Sequence, residues 1–242
     1  MIGGDILKVD RAVFLAAGLG SRLKPVTDEV PKPLVKIRGK SIIESSIEAA
    51  IQAGIEEIYL VLGYKFEAFD VILKKYPMCK AIINSDYREA NNISSICCAG
   101  DLLRNAYIIE GDLWVKNPKI IAAEQEHSNY VSIPLKKTDD WCFYTDEHGF
   151  IKKMAIGGEN CEQMVGVSYW TEDDGKRLSE RAVELYKEKG NRKLYWDQVA
   201  LEKFLPEFEI RTRNFTFDDV IEIDTMEELC AVDETYEKYK IN

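Results

Sequence analysis

Residues 13–17, Val-Phe-Leu-Ala-Ala, form an apolar run that stops at Gly18 and Gly20 and opens into a loop carrying Ser21, Arg22 and Lys24. So short a run, closed by glycines, reads as a buried strand. A turn of small residues lets backbone N–H groups approach phosphate oxygens, and cations neutralise the charge those groups leave. Nine residues after Arg22, Pro31-Lys32-Pro33 fixes another cation in a stiff, extended segment. Together these features imply a triphosphate site at the end of an N-terminal strand.

Two familiar phosphate loops do not fit. The dinucleotide-binding fingerprint needs a third glycine where Leu23 stands, and the P-loop needs a Gly-Lys-Ser/Thr triplet that does not follow Gly20. The rest of the first half alternates strand and helix. Ser41 and Glu44 form a capping box that opens a helix, with apolar residues at helical spacing from Ile42 to Ile51 and Gly54 at its end. The pattern predicts strands over 58–62, 81–83 and 106–110, and helices over 67–75 and 93–103. Such alternation predicts an α/β fold with a mostly parallel sheet and helices on both faces.

The second half is more β-rich. Strands are predicted over 131–135, 141–145, 150–155, 165–170, 209–212 and 220–223, with a hairpin turn at Glu147-His148-Gly149. Helices are predicted over 173–189, 195–204 and 226–238. The 242 residues suit a single domain whose second half completes the sheet and covers the site. Ligands of open α/β sheets lie at the carboxyl ends of the strands. Residues 18–22, Gly63-Tyr64, 84–86 and Gly111-Asp112 are therefore expected to converge on one crevice.

A net charge of −10 excludes a general nucleic-acid-binding face. No apolar stretch is long enough to span a bilayer, and Met1–Asp10 lacks a signal-peptide core, so a cytoplasmic protein is expected. The six cysteines show no Cys-x-x-Cys spacing and are expected to be reduced and packed as small apolar residues. With two histidines in the chain, a histidine-based metal site is not expected. Carboxylates are the better candidates. Asp112 stands just past the 106–110 strand, while Glu222 and Asp224 share one face of the strand before the last helix. Beside phosphates, such carboxylates suit Mg²⁺, and Asp112 and Asp224 are the expected ligands.

The compound pattern Gly-x-Gly-x-Arg-Leu followed by Pro-Lys-Pro resembles the signature of nucleotidyltransferases. From Arg11 onward the chain resembles the CTP:phosphocholine cytidylyltransferase family. The resemblance rests on residues 15–23, Pro31-Lys32, Gly63-Tyr64, Asn91-Asn92, Asp112, Trp141, residues 166–170, Leu194-Tyr195-Trp196-Asp197 and Glu222-Ile223-Asp224. It implies a Rossmann-like α/β domain over 1–242, with a nucleotide-binding half at 1–115 and an acceptor-binding half at 116–242. It also implies CTP as donor and Mg²⁺ as cofactor. Ala16, Ala17, Gly18, Gly20, Ser21, Arg22, Gly63, Asn92, Ser95 and Gly111 would bind the nucleotide, with Arg22 and Lys32 catalytic. Trp141, Tyr195, Asp197 and Glu222 would bind the acceptor. A quaternary ammonium is held by aromatic faces and neighbouring carboxylates, which these residues offer. Of the adjacent Tyr195 and Trp196, Tyr195 is expected to face the ligand.

The implied reaction is transfer of CMP to phosphocholine, giving CDP-choline and pyrophosphate. The related 2-aminoethylphosphonate cytidylyltransferases share most of these motifs, so that acceptor is the principal alternative, with a sugar 1-phosphate third. A residue pair of Ile93-Ser94, less aromatic than the family pattern after Asn92, bears on the shape of the pocket. The non-enzyme alternative is an inactive nucleotide-sensing subunit. Against it, Arg22, Lys32, Asp112 and Asp224 are all present. Neither oligomeric state nor the choice of cytosine over uracil follows from the spacing of these motifs.

Overall fold

A computed structural model describes residues 6–240. Residues 1–5, part of the Met1–Asp10 segment considered above, and 241–242 lie outside the described residues. The labelled strands are β1 (Arg11–Ala16), β2 (Glu57–Leu62), β3 (Cys79–Ile83), β4 (Ala106–Glu110), β5 (Leu113–Val115), β6 (Asn129–Thr145), β7 (Ile151–Trp170), β8 (Arg211–Asn214) and β9 (Val220–Glu222). The helices are α1 (Ile42–Gln52), α2 (Asp70–Lys75), α3 (Ile93–Ala99), α4 (Glu172–Tyr186) and α5 (Met226–Val232).

Seven strands form one mixed sheet in the order β8-β6-β7-β4-β1-β2-β3. β1 lies inside the sheet and pairs in parallel with β2 and β4, Val13 facing Tyr59 on one side and Ile108 on the other. Being covered on both faces, β1 is apolar at successive positions rather than alternating. Its alternate residues feed two cores. Ala12, Phe14 and Ala16 pack with Ile43, Ile47 and Ala50 of α1. Val13 and Leu15 pack with Ile93 and Ile96 of α3 and Leu178 and Ala182 of α4. Helices thus cover both faces, as the alternation predicts. α1 opens on the expected capping box, Ser41 N–H donating to Glu44 Oε2 at 2.8 Å.

The β-rich half differs from expectation in its continuity. The segments predicted over 131–135 and 141–145 belong to one 17-residue strand, β6, and those over 150–155 and 165–170 to one 20-residue strand, β7. The pair forms an antiparallel hairpin whose register shifts between Thr138 and Trp141. Gly157 and Asn160 take positive φ angles of 69° and 48° nearby. The distal part curls back, so that Cys142 and Phe143 pair with both arms of β7, including Gln163 and Glu162. The polar residues read as a loop are a bulge.

Two helices also depart from expectation. The segment predicted over 195–204 does not include Tyr195 or Trp196, and residues Val199–Lys203 form a π-helical turn. The terminal helix breaks at Asp233, whose carboxylate accepts from the N–H groups of Arg38 at 2.8 Å and Thr235 at 3.1 Å. A short 3₁₀ segment then runs over Glu234–Tyr239. All six cysteines are free, and Cys79, Cys142, Cys161 and Cys230 are buried. Among the described residues no helix is long and apolar enough to cross a membrane.

Candidate active site

A cleft of about 680 Å³ opens beyond the carboxyl ends of β1 and β4, where open α/β sheets place ligands. Its glycine-loop wall begins where β1 stops at Ala16. Gly20 takes φ 63°, and a Cβ there would stand 2.8 Å from Lys32 Cβ, so both conformation and contact require glycine. Thr27 Oγ1 donates to Gly20 O at 2.9 Å and holds the loop from below. Ala16, Ala17, Gly18, Ser21, Arg22, Ser95 and Gly111 also line the cleft. Gly63 instead borders a neighbouring cavity with Tyr64 and Tyr87. A Cβ on Gly63 would stand 2.7 Å from Tyr87 Cβ and 2.9 Å from Ala17 O. Gly63 therefore lets the β2 loop pass closely under the glycine loop.

Lys32, Asp112 and Asp224 meet although they are distant in sequence. β9 pairs antiparallel with β5, Glu222 opposite Leu113, and Ile223 N–H donates to Asp112 O at 3.1 Å. That register brings Asp224 beside Asp112. A third apolar cluster, with Leu23, Val26, Val35, Ile223 and Leu229, packs the Lys32 segment against α5. The buried Lys32 ammonium donates to Asp112 Oδ2 at 2.7 Å and to Asp224 Oδ1 at 2.5 Å. Burial alone would lower its pKa, but the two carboxylates outweigh burial and raise it. Lys32 is thus a fixed cation. Arg22, largely exposed, reaches Asp224 Oδ2 at 2.8 Å. Burial opposes the charge of Asp224, and Lys32 and Arg22 more than offset this, holding its pKa below the usual range.

The floor of the cleft is acidic. Carboxylate oxygens of Glu110, Asp112 and Glu222 lie within 4.8 Å of one another. Burial, reinforced by Asp112 and Asp197, raises the pKa of Glu110; burial, reinforced by Asp112 and Asp224, raises that of Glu222. Asp197 is buried, which pushes its carboxyl up to about 7. The inner oxygens Asp112 Oδ1 and Asp197 Oδ1 have no hydrogen-bond partner.

Aromatic rings frame this floor unequally. Trp196 is fully buried, stacked on Tyr130 with centroids 6.0 Å apart, and its Nε1 donates to Glu110 Oε1 at 3.0 Å. Tyr195 is 45% exposed and meets the Trp141 ring edge-on at 6.0 Å. Trp141, Tyr195, Asp197 and Glu222 all line the cleft.

Asn92 faces the acidic side: its Oδ1 accepts from Trp196 N–H at 2.8 Å and its Nδ2 donates to Glu110 Oε1 at 3.4 Å. It straps α3 to the segment carrying Tyr195 and Asp197. Sequence reasoning passed over Glu110, although the Glu110-Gly111-Asp112 spacing places two acids at one strand end. Asn84, in the 84–86 segment expected at the crevice, does line it, and its Nδ2 donates to Ser94 Oγ at 2.8 Å and Ser95 Oγ at 3.1 Å. The fully buried Tyr130 has no local sequence signal at all.

Comparison with known proteins agrees with this geometry. The Nucleotidyl transferase family profile matches residues 11–140. The chain is 35% identical over 238 residues to a 2-aminoethylphosphonate cytidylyltransferase of Lancefieldella rimae, covering 97% of this chain and 96% of the relative. It is 34% identical over 220 residues to a choline-phosphate cytidylyltransferase of Haemophilus influenzae, covering 90% and 93%. The solved structure of CTP:phosphocholine cytidylyltransferase from Streptococcus pneumoniae superposes with a TM-score of 0.87 at 26% identity, covering 95% of this chain and 99% of that one. A strand-end glycine loop, a buried lysine between two aspartates and similarity over nearly the whole chain lead to one conclusion: the chain belongs to the nucleotidyl transferase family, among its cytidylyltransferase members.

Proposed function

We propose that the protein transfers CMP from CTP to a phosphate or phosphonate oxygen of a small alkylammonium compound, releasing pyrophosphate in the cytoplasm. Phosphocholine and 2-aminoethylphosphonate both belong to this acceptor class. The observation that carries the reading is the division of one cleft between a glycine loop with fixed cations and an acidic floor under aromatic rings.

In this reading the triphosphate lies along Ala17–Arg22. Arg22 holds the outer phosphates, and Lys32 stabilises the transferring phosphoryl group and the leaving pyrophosphate. Asp112 and Asp224 suit Mg²⁺: both converge on one cation, and Asp112 Oδ1 is an unpartnered oxygen in a cluster of hard ligands. When bound, the ion supplies neutralisation of phosphate charge. The acceptor oxygen attacks the α-phosphorus in line, forming a new P–O bond as the bond to the bridging oxygen of pyrophosphate breaks. A phosphomonoester has a second pKa of about 6, so it enters already deprotonated and needs no general base. What the chain supplies is positioning and charge compensation between two anions. Trp141 and Tyr195 flank the acceptor's alkyl chain, and Asp197 and Glu222 face its ammonium.

The test is pyrophosphate release with CTP or UTP against phosphocholine, 2-aminoethylphosphonate and glucose 1-phosphate. Turnover is expected with CTP and the ammonium acceptors. Faster release with UTP or with the sugar phosphate would overturn the proposal, and so would CTP binding with no release from any acceptor.

A further inference from the structure

Resting on that reading, we infer that the acceptor site is built for a primary ammonium and selects unmethylated aminoalkyl phosphates and phosphonates over their trimethylammonium counterparts. The argument is the distribution of polar and aromatic groups with depth. Asp197, 4% exposed, lines the cleft with an inner oxygen that has no hydrogen-bond partner. The hydroxyl of Tyr130, whose ring stacks on Trp196, is also buried and unpartnered. Glu110 also lines the cleft, its Oε1 accepting from Trp196 Nε1 and Asn92 Nδ2. The deep end of the site therefore presents acceptors that want N–H donors.

The aromatic faces lie elsewhere. Trp196 is committed to packing between Tyr130 and Trp170 and turns its N–H to Glu110. Of the rings at the cleft, Tyr87 stands beside Gly63, and those next to Asp197 are Trp141 and Tyr195, set at 66° to each other, with Tyr195 at the exposed rim. Two rings at a rim make an open corner, not a closed cage. A primary ammonium carries three N–H donors and can satisfy the buried oxygens while its methylene chain passes the rings. A trimethylammonium group has no donor and would seal those oxygens from water unpaired. Leaving a buried polar group without its partner is the costly half of hydrogen-bond energetics, and sites made to hydrogen-bond an N–H reject analogues lacking it strongly.

The experiment is a methylation series with the wild-type enzyme at saturating CTP: 2-aminoethyl phosphate and its N-methyl, N,N-dimethyl and N,N,N-trimethyl derivatives. kcat/KM is expected to fall with each methyl group, by about 100-fold or more from first to last. In Asp197→Asn the same ratio is expected to shrink below about 10-fold, because the anion that prefers an N–H donor is gone. A flat or rising series alongside ready pyrophosphate release overturns this inference and leaves cytidylyl transfer standing. An unchanged ratio in a folded Asp197→Asn variant also overturns it. No release with any member overturns the transfer reading itself, and the selectivity with it.

Discussion

The two sides of the cleft are made from different materials. The nucleotide side is mostly backbone: a loop of small residues from Ala16 to Ser21, held at the end of an inner strand by parallel pairing on both sides. The acceptor side is side chains brought from four distant places: Glu110 at the end of β4, Trp141 at the bulge of β6, Tyr195 and Asp197 before a π-helical turn, and Glu222 on β9. Backbone N–H groups recognise what every nucleoside triphosphate shares. Side chains can be changed one at a time without disturbing the sheet. Under the proposed function, the difference teaches that donor chemistry is anchored in the fold, whereas acceptor choice is carried by a few replaceable groups.

Lys32 is the fixed cation beside the glycine loop, and its loss has the largest expected effect. Lys32→Ala removes the fixed cation between Asp112 and Asp224 and should lower kcat by about 100- to 1,000-fold. The circular dichroism spectrum should keep its native form. Near-wild-type turnover would remove Lys32 from the chemistry.

A perturbation on each side then tests the division. Gly20→Ala puts a Cβ 2.8 Å from Lys32 Cβ at φ 63°. It should raise KM for CTP by about 10-fold, in the range of a strained φ, with little change in acceptor KM. Trp141→Ala should do the reverse, raising acceptor KM by about 10-fold through loss of apolar contact with the acceptor's alkyl chain, with KM for CTP nearly constant. Equal shifts in both constants for either variant would break the comparison.

The smallest effect concerns stability. The Asp197 carboxyl is raised to about 7 by burial, so between its unfolded value of about 3.9 and pH 7 the folded state binds the extra proton. The stability this provides is full below about pH 4 and is lost as pH rises through 7. Asp197→Asn should therefore have a higher Tm than wild type at pH 8, by several degrees, with the difference vanishing near pH 4. A lower Tm at pH 8 would mean that the carboxylate is compensated in the folded state.

The same division explains what the sequence made legible. The glycine loop, β1 and the capped α1 are local features: each is decided by residues within a few positions, and the structure forms them where the pattern predicts. Asp112 and Asp224 were visible as acids at strand ends, but their meeting depends on the β5–β9 register, which no local pattern encodes. The β6–β7 hairpin read as four short strands because its bulge near Asp139 and Gly157 carries turn residues within a continuous ladder. Asn92 is assigned to the nucleotide by the family resemblance, yet in the structure it faces the acidic side of the cleft. Its partners, Trp196 and Glu110, lie far away in sequence. Tyr195 and Trp196 were assigned to a helix, yet they precede it, so one can turn outward while the other enters the core.

The most direct test of the central claim is phosphorus NMR of the wild-type enzyme with CTP, Mg²⁺ and 2-aminoethylphosphonate. The account predicts a new phosphonate–phosphate anhydride and an equal amount of pyrophosphate, both absent when Mg²⁺ is withheld. Unchanged CTP, or pyrophosphate accompanied by free CMP and an untouched phosphonate signal, would contradict it.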